Sequence, residues 1–159
     1  MSTRFLHHFF EPRTLAVFGA SEKPASLGGL VLRNIQEGGF KGPLWAVNLK
    51  GYSQVFGVPC FSRVSELPEV PDLAVVCSPI EGVPSLIKKL GQYGVKAALV
   101  LSGGAYLDRD KGNKGSIRER MLSAARVSGI RVLGPECMGL IVPGKKINAS
   151  YASQPVKAG

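Results

Sequence analysis

The chain has 159 residues, of which 45% are hydrophobic and 19% are charged. This length fits one globular domain, and the composition excludes a collagen-like repeat, a coiled coil and a wholly disordered chain. Twenty Lys and Arg against eleven Asp and Glu leave a net charge of +9, which favours an anionic partner such as a phosphorylated ligand. The basic residues are dispersed without interleaved aromatic residues, so a small ligand is favoured over nucleic acid.

The cysteines and the hydropathy pattern indicate the cellular compartment in which the protein resides. Cys60, Cys77 and Cys137 are odd in number and form no Cys-x-x-Cys pair, which suits a reducing compartment better than a disulfide framework or a zinc site. No apolar run approaches the roughly 18 residues that a membrane span needs, and residues 1–10 lack the apolar core of a signal peptide. We therefore expect a cytoplasmic protein with no metal site and no membrane partner.

The first predicted unit consists of a strand, a loop and a helix. Residues 14–19 form a short apolar run that ends in glycine, as is typical of a buried parallel strand that leads into a turn. A mostly apolar stripe at helical spacing follows, and glycines at 38 and 39 give the stop signal. The stripe consists of Leu27, Leu30, Val31, Asn34 and Ile35.

The same alternation continues along the chain. Further strands are predicted at 44–47, 73–77, 97–101 and 130–133, and helices at 83–93 and 116–127. Residues 58–61 predict at most a short extra strand, and the charged residues 108–114 predict an exposed loop. Five apolar strands that alternate with helical segments predict a single α/β domain on a Rossmann-like, doubly wound parallel sheet.

This pattern divides the chain into three parts. We expect an N-terminal arm over residues 1–13 and the α/β domain over residues 14–145. From about residue 142 the chain becomes polar and glycine-bearing, so residues 146–159 are predicted to be a C-terminal arm or a linker to a further domain.

Candidate ligand-binding residues follow the predicted strands, because ligands of such sheets bind beyond the carboxyl ends of the strands. These residues are mostly small, hydroxylic or cationic, which leaves backbone N–H groups accessible and suits a phosphate-bearing molecule. The candidates are Gly19, Ala20, Ser21, Lys23, Ser26, Leu27, Gly28, Asn48, Lys50, Ser78, Pro79, Leu101, Ser102, Gly103, Gly134, Pro135, Glu136 and Cys137.

The first loop carries the clearest signal. Ser21, Lys23, Ser26 and Gly28 precede or open a predicted helix, whose N-terminal N–H groups and dipole favour anions. Neither Gly-x-Gly-x-x-Gly nor Gly-x-x-x-x-Gly-Lys-Ser/Thr is present, so both standard nucleotide motifs are absent from the sequence.

Lys50 separates two kinds of nucleotide ligand. NAD sites place Asp or Glu near the end of the second strand to bind the ribose 2′-hydroxyl, whereas this chain has Lys50 there. A lysine at this position would attract an additional ribose phosphate, as in NADP or coenzyme A. From this residue alone, an exposed turn lysine without a ligand is an equally good interpretation.

Three segments resemble a known family. Residues 17–21, 47–51 and 133–139, the last of which contains Gly-Pro-Glu-Cys-Met-Gly, resemble the CoA-binding domain of the nucleoside-diphosphate-forming acyl-CoA synthetases. Succinyl-CoA synthetase alpha subunits carry this domain. Residues 9–18 and 38–43 are most similar to the N-terminal domain of ADP-forming acetyl-CoA synthetases and of bacterial protein lysine acetyltransferases.

The resemblance implies a ligand and a role for each loop. The ligand would be coenzyme A or acyl-CoA, with its phosphates held between Ser21 and Gly28 and its nucleotide end contacted by Lys50. Ser102 and Gly103 would line the pantetheine path, and Cys137 would lie near the CoA thiol. Further domains or a synthetase beta-type subunit would be the partners.

The resemblance also implies that the chain lacks a complete active site. The family's phosphorylated histidine lies in the following domain, and His7 and His8 stand before the first strand, where they do not replace it. Glu136 occupies a position where the family usually has Asn, so a carboxylate replaces an amide donor at the reactive end. The alternative functions are an NADP-dependent oxidoreductase and a nucleotide-sensing domain.

Overall fold

The computed structural model describes residues 3–104 and 115–153. The loop predicted at 108–114 and the last part of the predicted C-terminal segment, 154–159, lie outside the described residues. In the part of the chain that is described, no helix is both long and apolar enough to cross a membrane.

A mostly parallel sheet forms the centre of the fold. Within the described residues it has seven strands: β1 Leu15–Phe18, β2 Leu44–Val47, β3 Gln54–Val55, β4 Val58–Phe61, β5 Leu73–Val76, β6 Ala97–Val100 and β7 Arg131–Leu133. Their order is β3-β4-β2-β1-β5-β6-β7, and every neighbouring pair is parallel except β3 with β4. Without β3, this is the strand order of the dinucleotide-binding fold, which confirms the predicted Rossmann-like architecture.

The described helices are α1 His7–Phe10, α2 Leu27–Glu37, α3 Val83–Tyr93 and α4 Ile117–Ser128. The last three begin and end close to the predicted positions, whereas α1 was not predicted. Ser26 caps α2, since its Oγ accepts a hydrogen bond from the Gly29 N–H at 3.1 Å, and Ser116 and Glu119 form a capping box on α4. These caps satisfy backbone N–H groups that have no partner within the helix.

The apolar core lies on both faces of the sheet. All residues of β1, β5 and β6 are buried, because α2 covers one face while α3 and α4 cover the other. This explains why these strands are continuous apolar runs rather than alternating ones. Full burial of each Leu, Ile or Val side chain stabilises the fold by about 1.5–3 kcal/mol.

Residues 58–61 form a full member of the sheet rather than a minor extra strand. β4 pairs in parallel with β2, so the sheet has six parallel strands where the sequence predicted five. Pro59 hid this strand from the sequence analysis, because proline cannot donate to a ladder and is typical of sheet edges. The structure agrees with that position, since β4 is followed in the sheet only by the two-residue strand β3.

Strands lie on both sides of the predicted boundary at residue 145. β8 Gly139–Val142 and β9 Ile147–Ser150 form an antiparallel pair, and Ile147 and Ala149 are buried in the core. The Asn34 Nδ2 group donates hydrogen bonds to the carbonyl oxygens of Ser150, at 2.9 Å, and Ala152, at 3.1 Å. Residues 146–152 are therefore part of the packed domain, and alternation over only four residues was too short to predict this.

The predicted N-terminal arm is also partly packed. Helix α1 lies within it, and Phe9 is buried against the core. The Arg13 backbone N–H donates to the Asp72 carboxylate at 2.8 Å, and His8 Nδ1 lies 3.8 Å from the same carboxylate. These contacts attach the segment to the amino ends of the strands, opposite the edge where ligands of such sheets bind.

Candidate functional site

The candidate site is built around the point where the direction of strand order reverses, between β1 and β5. Gly19 follows β1 with a φ of +85°, and a Cβ added there would lie 2.9 Å from both the Cys77 carbonyl carbon and the Ser78 nitrogen. Only glycine therefore lets the first loop pass this close to the loop after β5. Such a reversal opens a crevice at the carboxyl ends of the strands.

Gly28 brings the start of α2 against the first loop. A Cβ on Gly28 would overlap the Gly19 carbonyl oxygen and lie 2.8 Å from the Ala20 Cα. The loop and the first turn of the helix are thus in direct backbone contact. This contact directs the N-terminal end of α2 at the crevice, and the first turn carries no acidic residue to offset its dipole.

Two serines hold the first loop in shape. The Ser21 Oγ lies 3.0 Å from the Ser26 Oγ, and Ser21 is only 8% exposed. The Ser26 backbone N–H also donates to the Lys23 carbonyl oxygen at 3.1 Å. The hydroxyl pair and the turn fix the residues that precede α2, so a ligand would meet a preformed loop.

Two lysines converge at this loop. The Lys50 ammonium lowers the pKa of Lys23, first through a side-chain hydrogen bond and then through charge repulsion, while Tyr52 acts in the opposite direction. Both lysines are exposed to solvent. Two neighbouring cations beside a helix N-terminus are an arrangement that attracts a phosphate.

Asn48 connects the end of β2 to the first loop. Its Nδ2 group donates to the Ala20 carbonyl oxygen at 2.8 Å, and its Oδ1 accepts from the Lys50 backbone N–H at 2.9 Å. Asn48 therefore fixes the backbone of Lys50 relative to the loop after β1. The predicted residues of the first and second loops thus form one hydrogen-bonded unit.

A cavity that was not predicted lies beside this unit. The cavity has a volume of about 240 Å³ and is lined by Glu22, Lys23, Tyr52, Gln54 and Val55. Its wall is fixed by Glu22, whose Oε1 accepts a hydrogen bond from the Phe56 N–H at 2.7 Å. Glycine between the apolar residues of 55–58 is a hairpin signal that could have revealed the β3–β4 turn.

Beyond β5, β6 and β7 a second set of loops is linked in series. The Ser102 Oγ donates to the Ser78 carbonyl oxygen at 2.5 Å, and Ser102 is 3% exposed. The Ser102 carbonyl oxygen in turn accepts from the Glu136 N–H at 3.3 Å. One hydrogen-bonded chain therefore joins all three strand ends.

Cys137 lies in this second set of loops. Its Sγ is 3.4 Å from the Val100 carbonyl oxygen, and the residue is partly buried. Burial, assisted by the nearby Cys137, raises the pKa of Cys77 to about 12, and burial also raises the pKa of Cys60. Cys77 is therefore a thiol at ordinary pH and a poor nucleophile.

The structure places the predicted site residues in two groups along one edge of the sheet. The first group comprises the candidates from Gly19 to Gly28 with Asn48 and Lys50, and the second comprises Ser78, Pro79, Leu101, Ser102, Gly103, Gly134, Pro135, Glu136 and Cys137. Leu101 is only 3% exposed, so its side chain packs in the core and only its backbone borders the crevice.

His7 and His8 lie at the opposite edge of the sheet. Their ring centroids are 4.1 Å apart, and burial followed by the charge of His7 lowers the pKa of His8, although Asp72 opposes the shift. Among the described residues there is no group of three or more His, Cys, Asp and Glu that could hold a metal ion.

Comparison with known proteins identifies the family. A family model described as a CoA binding domain matches residues 13–143. The chain is 32% identical over 157 residues to the alpha subunit of an ADP-forming acetate–CoA ligase I of Pyrococcus furiosus, covering 97% of this chain and 34% of the relative. It is also 32% identical over 148 residues to ADP-forming acetate–CoA ligase I of Archaeoglobus fulgidus, covering 92% of this chain and 21% of the relative.

A solved structure agrees with these matches. The dinucleotide-forming acetyl-coenzyme A synthetase 1 of Ca. Korarchaeum cryptofilum, in complex with phosphate and ADP, superposes with a TM-score of 0.85 at 33% identity. The match covers 97% of this chain and 32% of the synthetase. The chain thus spans between about a fifth and a third of the length of the relatives it matches.

These matches do not favour the NADP-dependent oxidoreductase considered from the sequence. They agree instead with the resemblance carried by the three strand-end segments and with coenzyme A or acyl-CoA as the ligand. The chain belongs to the family of CoA-binding domains found in the alpha subunits and N-terminal parts of ADP-forming acyl-CoA synthetases.

Proposed function

We propose that this chain supplies the CoA site of an ADP-forming acid–CoA ligase, which makes acyl-CoA from a carboxylic acid, CoA and ATP. The observation that carries the proposal is the convergence of Lys23 and Lys50 on the loop that opens α2. The named relatives, which are ADP-forming acetate–CoA ligases, favour a ligase parent over a protein acetyltransferase.

The phosphate-bearing end of CoA binds at the first group of loops. The N–H groups at the start of α2 and the preformed Ser21–Ser26 loop receive the diphosphate. Lys50, with its backbone fixed by Asn48, contacts the phosphate on the ribose. A lysine contact to a partly exposed phosphate contributes several-fold in affinity and weakens as salt rises.

The pantetheine arm runs from this end toward β6 and β7. Neighbouring strands are about 4.8 Å apart, and the pantetheine chain is long enough to cross several of them. It passes the exposed backbone at Gly103 and ends near Cys137, in the loop that follows β7. The nucleotide and the thiol are thereby held at opposite ends of the crevice.

The remaining chemistry belongs to other domains or to a second subunit. The described residues contain no histidine near the crevice, because His7 and His8 lie at the amino ends of the strands. We expect no formation of acyl-CoA from acid and ATP by the 159-residue chain alone. Nucleotide-dependent thioester formation by the pure chain would contradict this expectation.

Calorimetric titration of the chain with CoA, dephospho-CoA, NADPH and ATP tests the proposed function. We expect CoA to bind most tightly, and Lys50→Ala to weaken CoA several-fold while leaving dephospho-CoA nearly unchanged. Lys41→Ala, which removes an exposed lysine before β2 at the opposite edge, is the matched control. Tight binding of NADPH without binding of CoA would overturn the proposal.

A further inference from the structure

The second group of loops carries a net negative charge in its described part. The described residues that follow β5, β6 and β7, namely 77–82, 101–104 and 134–138, contain Glu81 and Glu136 and no Lys or Arg. Both carboxylates belong to exposed residues. This contrasts with the lysine pair at the other end of the crevice, so the two ends have opposite charge.

Glu136 is held in place by two hydrogen bonds to the loop after β6. Its backbone N–H donates to the Ser102 carbonyl oxygen at 3.3 Å, and its Oε1 accepts from the Gly104 N–H at 3.2 Å. Its φ of +61° lies in the left-handed region, which is uncommon for a non-glycine residue. The Gly104 contact therefore restrains the carboxylate of the residue that directly precedes Cys137.

We propose that Glu136 is a specificity-determining residue that disfavours acyl groups ending in a carboxylate. The inference rests on the proposed function, which places the CoA thiol at this end of the crevice. A fixed carboxylate next to the thiol repels a second carboxylate on the acyl chain, whereas an uncharged acyl group meets no such repulsion. The substrate class is therefore a carboxylic acid whose acyl group is uncharged once it is joined to CoA.

The expected effect is moderate because Glu136 is exposed. Two like charges a few ångströms apart in fully water-exposed surroundings change affinity by about fivefold, and salt reduces the effect. The Gly104 contact gives Glu136 a second role, since the N–H needs an acceptor. Glu136→Gln keeps an oxygen for that N–H and removes only the charge, which separates the two roles.

The test compares two stable CoA thioethers of nearly equal size, S-propyl-CoA and S-(2-carboxyethyl)-CoA, which differ in having a methyl group or a carboxylate at the end. Calorimetry with the wild-type chain should show the carboxylated ligand binding about fivefold more weakly. Glu136→Gln should bring the ratio close to one. Glu69→Gln, which removes an exposed charge before β5 at the other edge, should leave the ratio unchanged.

Three results would overturn the inference. Equal affinities of the wild-type chain for both thioethers, together with normal binding of CoA in a separate titration, would show that the specificity is absent and that the CoA site is intact. If the affinity ratio of the two thioethers persists in Glu136→Gln but disappears in Glu81→Gln, the discrimination comes from Glu81. If the ratio persists in both variants, the discrimination comes from shape rather than charge. Failure of CoA and both thioethers to bind would overturn the proposed function itself.

Discussion

The two ends of the crevice differ in their charge and in the groups that they present. Beyond β1 and β2, two lysines and a helix N-terminus provide positive charge on a preformed loop. Beyond β5, β6 and β7, a serine, a cysteine and backbone groups are linked by hydrogen bonds, and the charged residues of the described loops are acidic. A long ligand with an anionic head and an uncharged arm matches this asymmetry, since each end excludes what the other accepts.

The largest effect is expected from a substitution that forces the first loop and α2 apart. In Gly28→Ala the new Cβ overlaps the Gly19 carbonyl oxygen, and such overpacking costs about 1–3 kcal/mol. The free energy of unfolding from urea titration should fall accordingly, and CoA binding should be lost. Gly82→Ala at the other end, whose Cβ would meet no atom, should change neither quantity; an equal loss in both variants would contradict the role of the Gly28 contact.

Removal of the lysine pair should reduce the salt dependence of CoA binding at the first end. The Lys23→Ala, Lys50→Ala double variant is expected to weaken CoA by roughly tenfold, because two charge-assisted phosphate contacts are lost. Affinities measured at low and high ionic strength should then differ less than they do for the wild-type chain. Ser102→Ala, at the second end, removes no charge and should weaken CoA by the same factor at both ionic strengths. An undiminished salt dependence in the lysine double variant would place the anion elsewhere.

Cys77, in the loop after β5, should make the free energy of unfolding of the chain depend on pH. Its pKa is raised from the usual 9.0 to about 12, so between these values the folded chain keeps a proton that the unfolded chain loses. Stability therefore falls as the pH rises above 9, by about 1.4 kcal/mol per pH unit for one such group. The difference in unfolding free energy between wild type and Cys77→Ala should shrink from pH 8 to pH 10; a constant difference would show that the thiol titrates normally when folded.

The smallest effect is expected for Cys137. Saturating CoA should slow alkylation of Cys137 by a few-fold while leaving Cys60, on β4, nearly unaffected, because only the former borders the proposed thiol end. Mass spectrometry after timed iodoacetamide treatment measures each rate separately. Equal rates for Cys137 with and without CoA would move the thiol end away from the loop after β7.

The positions of strands and helices could be predicted where the hydrophobic pattern of one short segment is sufficient to define the element. The apolar runs of β1, β5 and β6 and the apolar stripes of α2 and α3 gave their positions to within one or two residues. β4 and β9 were missed or underestimated, because their membership depends on partners far along the chain. Asn34, for example, holds residues more than one hundred positions away, and no local pattern records this.

The candidate site likewise combines features that local sequence predicts with contacts between distant residues that it does not predict. Small and hydroxylic residues after each strand predicted which loops border the crevice. The wall formed by Glu22 and Phe56, 34 positions apart, could not be predicted, because a carboxylate that accepts a backbone N–H has no sequence signature of its own. The pairing of Glu136 with Gly104 escaped prediction for the same reason.

Asn34 gives α2 a mechanical role. Seven residues separate it from Leu27, so at 1.5 Å per residue its hold on Ser150 and Ala152 lies about 10 Å along the helix from the first loop. A hydrogen-bonded helix is stiff over that length. A displacement of residues 150–152 would therefore be transmitted along the helix to the loop that holds Ser21 and Lys23.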